Sequence, residues 1–408
     1  MHGDRRVGSW AWIALTGLMT LALCSSAVAG NVGSKYDVDL YGYVKLDAAF
    51  DSQKTAAGDI LLFVLPEGPE RDEEFTMTAR QTRFGLKVKG PDSDSVKTTA
   101  RIEAGFWGEE SDPDHKTKLR LRLAYADIAG DGWSFRAGQD WDTFLTVIPR
   151  SVNFTYFGWQ GSPGYRRPQV RLTKDLALSD SVKLTAKVAV AHNLGELYRG
   201  TDGDQDGFRQ NDGDDAGIPE FQGNLILQGK VFTDTPARVS VSGLAGHEVL
   251  DTDTVQDVEF DSELLMGSVY LPLAEFGEDK SSKVALQGAV WQGKNLDAYE
   301  AGLGLGINMA MGTEIEAEGG WGQLVYDCGA LSLVLGYGVD DPKDDDLNSF
   351  AADGPNARSK NEFLMGSVTY ALNDAVKVAF EVSHLTTDFK DAAEAETDRF
   401  HGAVFYYF

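Results

Sequence analysis

The stretch 400–408 limits what this chain can fold into more than any other. Phe400, Gly402, Val404, Tyr406 and Phe408 fall on one mostly apolar face of a strand, and the sequence stops there. A strand left with a bare edge offers its unpaired backbone groups to other chains and invites aggregation. A barrel removes the edge by pairing the last strand with the first. A closed barrel is therefore expected in preference to an open soluble sheet.

The other end points the same way. Arg5 and Arg6 precede an apolar run over 10–23, which is followed by Ala27-Val28-Ala29, a small-residue cleavage pattern. This reads as a cleaved signal peptide over 1–29, because the run is shorter than the ~20 residues a spanning helix needs. The residues after Arg5-Arg6 do not fit twin-arginine export. Leu23 is too large for the lipoprotein pattern that Cys24 hints at. Residues 30–408 read as a single domain without a second long apolar run. If that domain spans a membrane it does so with strands, since only helices and closed barrels satisfy their backbone in lipid.

Period-two alternation is clear from 38 to 50. Val38, Leu40, Gly42, Val44, Leu46, Ala48 and Phe50 share one face, while Asp39, Tyr41, Tyr43, Lys45 and Asp47 share the other. Similar runs follow at 75–90, 95–108, 117–129, 133–140, 167–177, 181–194, 220–232, 237–250, 257–273, 282–294, 317–327, 330–340, 360–371, 375–389 and 397–408. Many exceed the ~9–11 residues needed to cross a bilayer obliquely. The weakest is 317–327. Tight turns such as Gly130-Asp131-Gly132, Cys328-Gly329 and Asn373-Asp374 alternate with long links at 52–74, 141–166, 195–219, 295–316 and 341–359. Short periplasmic turns and long external loops are the rule for transmembrane barrels. The expected fold is thus all-β, a transmembrane antiparallel barrel of sixteen strands. A barrel of roughly 16–18 strands leaves an aqueous channel.

Charge is unevenly spread. The net charge is −26, yet residues 75–175 carry 16 Lys and Arg against 12 Asp and Glu. The acidity makes nucleic acid an unsuitable partner. A charge on the lipid face at mid-membrane costs ~2–4 kcal/mol, so strand parity assigns the cations to the lumen. Phe84, Leu86 and Val88 outward leave Arg83 inward. Ile102 and Phe106 outward leave Arg101 and Glu103 inward. Leu119, Leu121, Leu123 and Tyr125 outward leave Lys118, Arg120 and Arg122 inward. Phe135, Val170 and Leu172 outward leave Arg136, Arg167 and Arg171 inward. Arg80 is out of phase with Arg83 and requires a bulge or a place at the rim. The segment 143–174 has no Asp or Glu but has Arg150, Arg166, Arg167, Arg171 and Lys174, with Phe144, Phe154, Tyr156, Phe157, Trp159 and Tyr165. The loop 141–166 is expected to fold into the channel as a basic, aromatic-lined constriction. The alternative is an external loop packing its rings on a neighbouring subunit.

Asp202, Asp204 and Asp206 match the first half of a calcium loop, but the twelfth position is Gly213. Calcium in this external loop and a merely solvated acidic loop both remain open; no cofactor is required. After cleavage Cys328 is the lone cysteine, which excludes an internal disulfide. Ser383 and His384 are adjacent on a strand and face opposite ways, so they cannot form a nucleophile–base pair. No enzyme is expected.

The terminal strand resembles the carboxy-terminal signature of bacterial outer-membrane barrels, which the barrel assembly machinery reads. Five internal stretches resemble the DcaP-like porins of Gram-negative outer membranes. They are Tyr41-Gly42-Tyr43-Val44-Lys45-Leu46-Asp47, Ala79-Arg80-Gln81-Thr82-Arg83-Phe84-Gly85, Gly138-Gln139-Asp140-Trp141-Asp142-Thr143-Phe144, Arg167-Pro168-Gln169-Val170-Arg171 and Gly319-Gly320-Trp321-Gly322-Gln323-Leu324. The resemblance implies a trimeric porin set in outer-membrane lipid and lipopolysaccharide. It also implies passive diffusion of small anionic solutes such as dicarboxylates or aromatic carboxylates. A porin selective for sugars or cations, and a non-transport adhesive barrel, stay open beside it.

Overall fold

The computed structural model describes residues 34–68, 72–93, 95–108, 117–195, 212–250, 258–277, 280–353 and 357–408. Its contacts divide the chain into Met1–Asp37 and Val38–Phe408, and the barrel is the second unit. Asp202, Asp204 and Asp206 lie outside the described residues.

Sixteen staves run round one closed antiparallel sheet. They are β1 (Asp37–Asp51), β2 (Glu74–Thr78 and Arg83–Lys89), β3 (Lys97–Gly105), β4 (Arg120–Gly130), β5 (Trp133–Trp141), β6 (Arg166–Ala177), β7 (Val182–Ala191) and β8 (Glu220–Gly229), followed by β9 (Ala237–Leu250), β10 (Val258–Phe276), β11 (Ser282–Lys294), β12 (Glu316–Cys328), β13 (Leu331–Pro342), β14 (Arg358–Ala371), β15 (Val376–Phe389) and β16 (Ala395–Tyr407). Counted by hydrogen bonds the sheet has 17 strands, because β2 is interrupted. Closure comes from β1 on β16, in register from Tyr43↔Tyr407 to Asp51↔Arg399. The run that alternates least clearly in the sequence forms β12 and pairs along its length with β11 and β13.

Alternation sets the two faces. On β1, Leu40, Val44, Leu46 and Phe50 are exposed while Lys45, Asp47 and Asp51 are buried inside. On β16, Phe400, Val404 and Tyr406 point out and Arg399 and His401 point in. The apolar outer band meets hydrocarbon, and the polar groups find partners on the inner wall.

Two irregularities break this parity, both in the basic third. The strand stops between Thr78 and Arg83, and a turn there lets Arg80 point inward, 8% exposed, paired with Asp59 and 3.4 Å from the Trp107 ring. This accounts for its phase. In β4 the register jumps from Glu103↔Leu123 to Ala104↔Leu121, leaving Arg122 as an extra residue. The bulge corrects the parity reading: Leu123 is buried, and Tyr125 faces inward under the Arg136 guanidinium, 3.7 Å away, instead of facing lipid. Leu119 and Leu121, before the bulge, are exposed on the outer face. An inserted residue shifts every later side chain of its strand to the opposite face.

The interior is divided. From β10 to β15 the inner wall carries Leu264, Met266, Trp291, Trp321, Phe363 and Leu385. Three inward segments pack onto them. Leu61 and Val64 come from a short hairpin (Thr55–Ala57 with Ile60–Val64), Phe144 and Phe157 from the loop after β5, and Leu296 and Tyr299 from the loop after β11. The basic clusters stand on the opposite inner wall, β2 to β6, while further charges are buried elsewhere round the wall, among them Glu220 on β8, Asp340 on β13, Glu381 on β15 and Arg399 on β16. Among the described residues no helix is long and apolar enough to cross a membrane.

Candidate pore constriction

Loop 142–165 leaves the end of β5 and is held by inward side chains on strands all round the barrel. The Thr143 N–H donates to Gln222 Oε1 (2.7 Å), and Asn224 Nδ2 donates to the Thr143 carbonyl (2.7 Å), both from β8. Gln323 on β12 grips Arg150 with both ends of its amide, 2.8 Å each. Glu381 on β15 accepts from the Val152 N–H (2.7 Å) and from the Ser151 hydroxyl (3.0 Å). Lys45 on β1 donates to the Val152 carbonyl (2.8 Å). Partners on β8, β12, β15 and β1 require the loop to cross the lumen.

Its aromatics divide by depth. Phe144, Phe157 and Trp159 are fully buried. Phe157 packs edge-on against Phe363 (4.8 Å), Trp159 stacks on Phe63 (5.9 Å), and Phe144 meets Tyr299 (6.3 Å). These rings fasten the loop to the wall and do not line a passage, because an apolar wall stands opposite them. Phe154, Tyr156 and Tyr165 stay partly open. Tyr156, Phe157 and Trp159 have φ of 51°, 66° and 59°, left-handed values that cost non-glycine residues on the order of 1–3 kcal/mol each.

The cations fall into three groups. In the first, one carboxylate serves three guanidinium groups: Glu103 lies 2.8 Å from Arg101, 3.0 Å from Arg122 and 3.5 Å from Arg83. Arg120 stands next to them, its guanidinium 6.0 Å from the Phe154 ring centre. Arg166 sits 4.6 Å from the Trp141 ring and 5.2 Å from Tyr165; Arg122 and Arg120 act on it as like charges and Glu300 as an opposite one. Among the described residues, neither Arg120 nor Arg166 has a carboxylate within ion-pair distance. In the second group Asp140 bridges Arg171 (2.7 Å) and Arg136, which also holds Asp127 (2.6 Å). The third is Arg167 alone. It is 0% exposed between Asp142 (2.8 Å) and Glu220 (2.5 Å), with Tyr299 donating to the same Glu220 (2.7 Å). Burial beside Glu220 pushes the Tyr299 phenol well up.

Strand parity thus brings Arg83, Arg101, Arg120 and Arg122 together on the inner wall. Arg136 and Arg171 form a separate balanced ladder, and Lys118 is exposed just before β4. Arg167 is buried under the loop instead of facing a passage, because two carboxylates and the Ala298 carbonyl enclose it. Parity missed the inward acids of that ladder. Asp127 was hidden by the bulge. Asp140, in phase with Arg136, was legible and overlooked. Gln81 and Trp107 were also missed; the turn inside β2 that positions Gln81 leaves no periodic signal.

A closed barrel of sixteen staves with a loop folded through its lumen and charged side chains on part of its wall defines a porin. The model of the Gram-negative porin family matches residues 14–408, and the chain belongs to that family. It is an outer-membrane protein, and its fold and family are those of a channel. A search of curated protein sequences finds no significant match. Among solved structures it is similar to the outer membrane channel DcaP of Acinetobacter baumannii (TM-score 0.66, 18% identity, covering 92% of this chain and 99% of that one). It is also similar to an anion-selective porin from Comamonas acidovorans (TM-score 0.56, 11% identity, 92% and 100%). A third is the trimer form of OmpT of Vibrio cholerae (TM-score 0.54, 13% identity, 92% and 100%). At these identities the likeness concerns the fold.

Proposed function

We propose that this porin is a passive diffusion channel favouring small anionic solutes, dicarboxylates and aromatic carboxylates among them, and that it works as a homotrimer in outer-membrane lipid and lipopolysaccharide after insertion by the barrel assembly machinery. The observation that carries the selectivity is the pair Arg120 and Arg166. Among the described residues neither has a carboxylate within ion-pair distance, Glu300 acting on Arg166 only from farther off, and the Glu103 of the Arg120 group is already shared by three others. A wall segment with more cations than anions raises the local concentration of anions, and guanidinium forks match carboxylates. The apolar core on the β10–β15 side leaves the charged β1–β7 side as the wet route. Such binding must stay weak enough for release.

Reversal potentials across a potassium chloride gradient in planar bilayers test this. The wild type is expected to prefer chloride, and replacing Arg120 and Arg166 together by Gln is expected to lower that preference severalfold. A cation-selective wild type ends the proposal.

A further inference from the structure

Where the barrel closes, its inner wall carries a second set of rings. Lys377, Phe405 and Lys45 lie in one row across β15, β16 and β1. Tyr407 and Tyr43 stand opposite each other in the next row, toward the tight turn at Asn373-Asp374 and so toward the periplasm. The alternate residues Val44, Val404 and Tyr406 are exposed on the lipid face, which puts these rings on the inner one. Phe405 packs on Val152 of the loop together with Ala379 and Ala403, and Lys45 lies 5.0 Å from its ring centre. Tyr43 is 5.6 Å from Tyr407, with planes 58° apart, and 5.8 Å from Phe405. Phe144, Phe157 and Trp159 are used up in fastening the loop, but Tyr43, Phe405 and Tyr407 are only half-buried and keep ring surface open to the lumen.

A cation flanks each tyrosine. The Arg83 guanidinium is 5.5 Å from the Tyr43 ring, and Lys377 Nζ is 4.9 Å from the Tyr407 ring. Arg83 already has Glu103 at 3.5 Å and Tyr156 as partners. Lys377 differs: it is half-buried, and among the described residues no carboxylate lies within ion-pair distance of it. An ammonium that nothing neutralises, next to open aromatic surface, suits a solute that carries a carboxylate and a ring together.

We propose that this patch is the subsite that holds aromatic carboxylates, the solute ring packing on Tyr43 and Tyr407 and its carboxylate meeting the Lys377 ammonium. It lies on the periplasmic side of the loop, so a solute that has passed Arg120 and Arg166 meets it next. The inference deepens the anion-channel reading and rests on it for the class of solute. It moves the preference for rings away from the constriction, whose own rings are mostly buried, to the seam between the last strand and the first.

Equilibrium dialysis of benzoate and of cyclohexanecarboxylate against detergent-solubilised protein at low salt, with empty micelles as the blank, tests the subsite. The two acids match in charge and nearly in size, and differ in the aromatic face. The wild type is expected to hold benzoate about threefold to tenfold more tightly, the range that aromatic contacts supply. Tyr43→Leu with Tyr407→Leu keeps apolar bulk and is expected to erase that difference, and Tyr407→Leu alone to reduce it. Lys377→Met is expected to weaken both acids alike. Equal binding of the two acids by the wild type, or no saturable benzoate binding, overturns the proposal. So does a benzoate preference that survives in Tyr407→Leu, or undiminished binding in Lys377→Met. Binding is measured here without reference to ion selectivity, so a cation-selective channel that still prefers benzoate keeps the subsite and loses only the anion-channel reading.

Discussion

Arg167 and Arg120 have the same side chain in opposite situations. Arg167 is wholly buried between two carboxylates, whereas Arg120 faces a ring and other cations. Removing one partner of a buried pair strands the other charges and costs about 3–5 kcal/mol. Arg167→Met is therefore expected to lower stability by that order, read as a lower urea midpoint for barrel unfolding. Selectivity should move little by comparison. Tyr156 supplies a pH dependence. Burial raises its phenol, but Arg83, Arg122 and Lys45 together outweigh this and bring it below the ordinary phenol range. As pH rises, Tyr156 becomes an anion earlier than a free tyrosine and subtracts one positive charge from the constriction. Anion preference is expected to fall over that alkaline range in the wild type and to hold in Tyr156→Phe. Reversal potentials measured at stepped pH distinguish the two.

At the scale of elements, the loop 142–165 is a strap with separate fastenings. Its two arms are packed by Phe144 and Phe157, and between them Arg150, Ser151 and Val152 are tied to Gln323, Glu381 and Lys45. The close approach of loop and wall explains Gly338, where a Cβ would collide with the Gln160 carbonyl. Glu381→Ala leaves the Val152 N–H and Ser151 hydroxyl without their acceptor while the apolar fastening stays. The tip is expected to fluctuate, with noisier single-channel current and higher conductance than wild type. A quiet trace of unchanged conductance would show that the tip is held by something else. The staves were legible because a period of two with a lipid-facing apolar row leaves little choice of register. The interruption at 79–82 and the extra Arg122 were not, since each depends on what the neighbouring strand and Trp107 require.

For the molecule as a whole, the division of the lumen is the main consequence of folding. Apolar residues from the hairpin after β1, the loop after β5 and the loop after β11 meet the wall of β10–β15 in one cluster. In the proposed function water and solute pass on the basic side, although the chain as a whole carries −26. The trimer belongs at this scale too. Size-exclusion chromatography with light scattering on detergent-solubilised protein is expected to return three chains per particle, and a monomer would count against the assembly.

What the sequence determined by itself, outside the break in β2 and the bulge in β4, was which side chains face lipid and which face inward, hence the barrel, its strand number and the wall on which Arg83, Arg101, Arg120 and Arg122 stand. Alternation is local, and the cost of a charge in hydrocarbon leaves one solution. Which cations are neutralised was decided only by tertiary structure. Glu103, Asp140, Asp142 and Glu220 meet their arginines through strand register and loop placement, and such contacts between distant residues are not written in any local pattern.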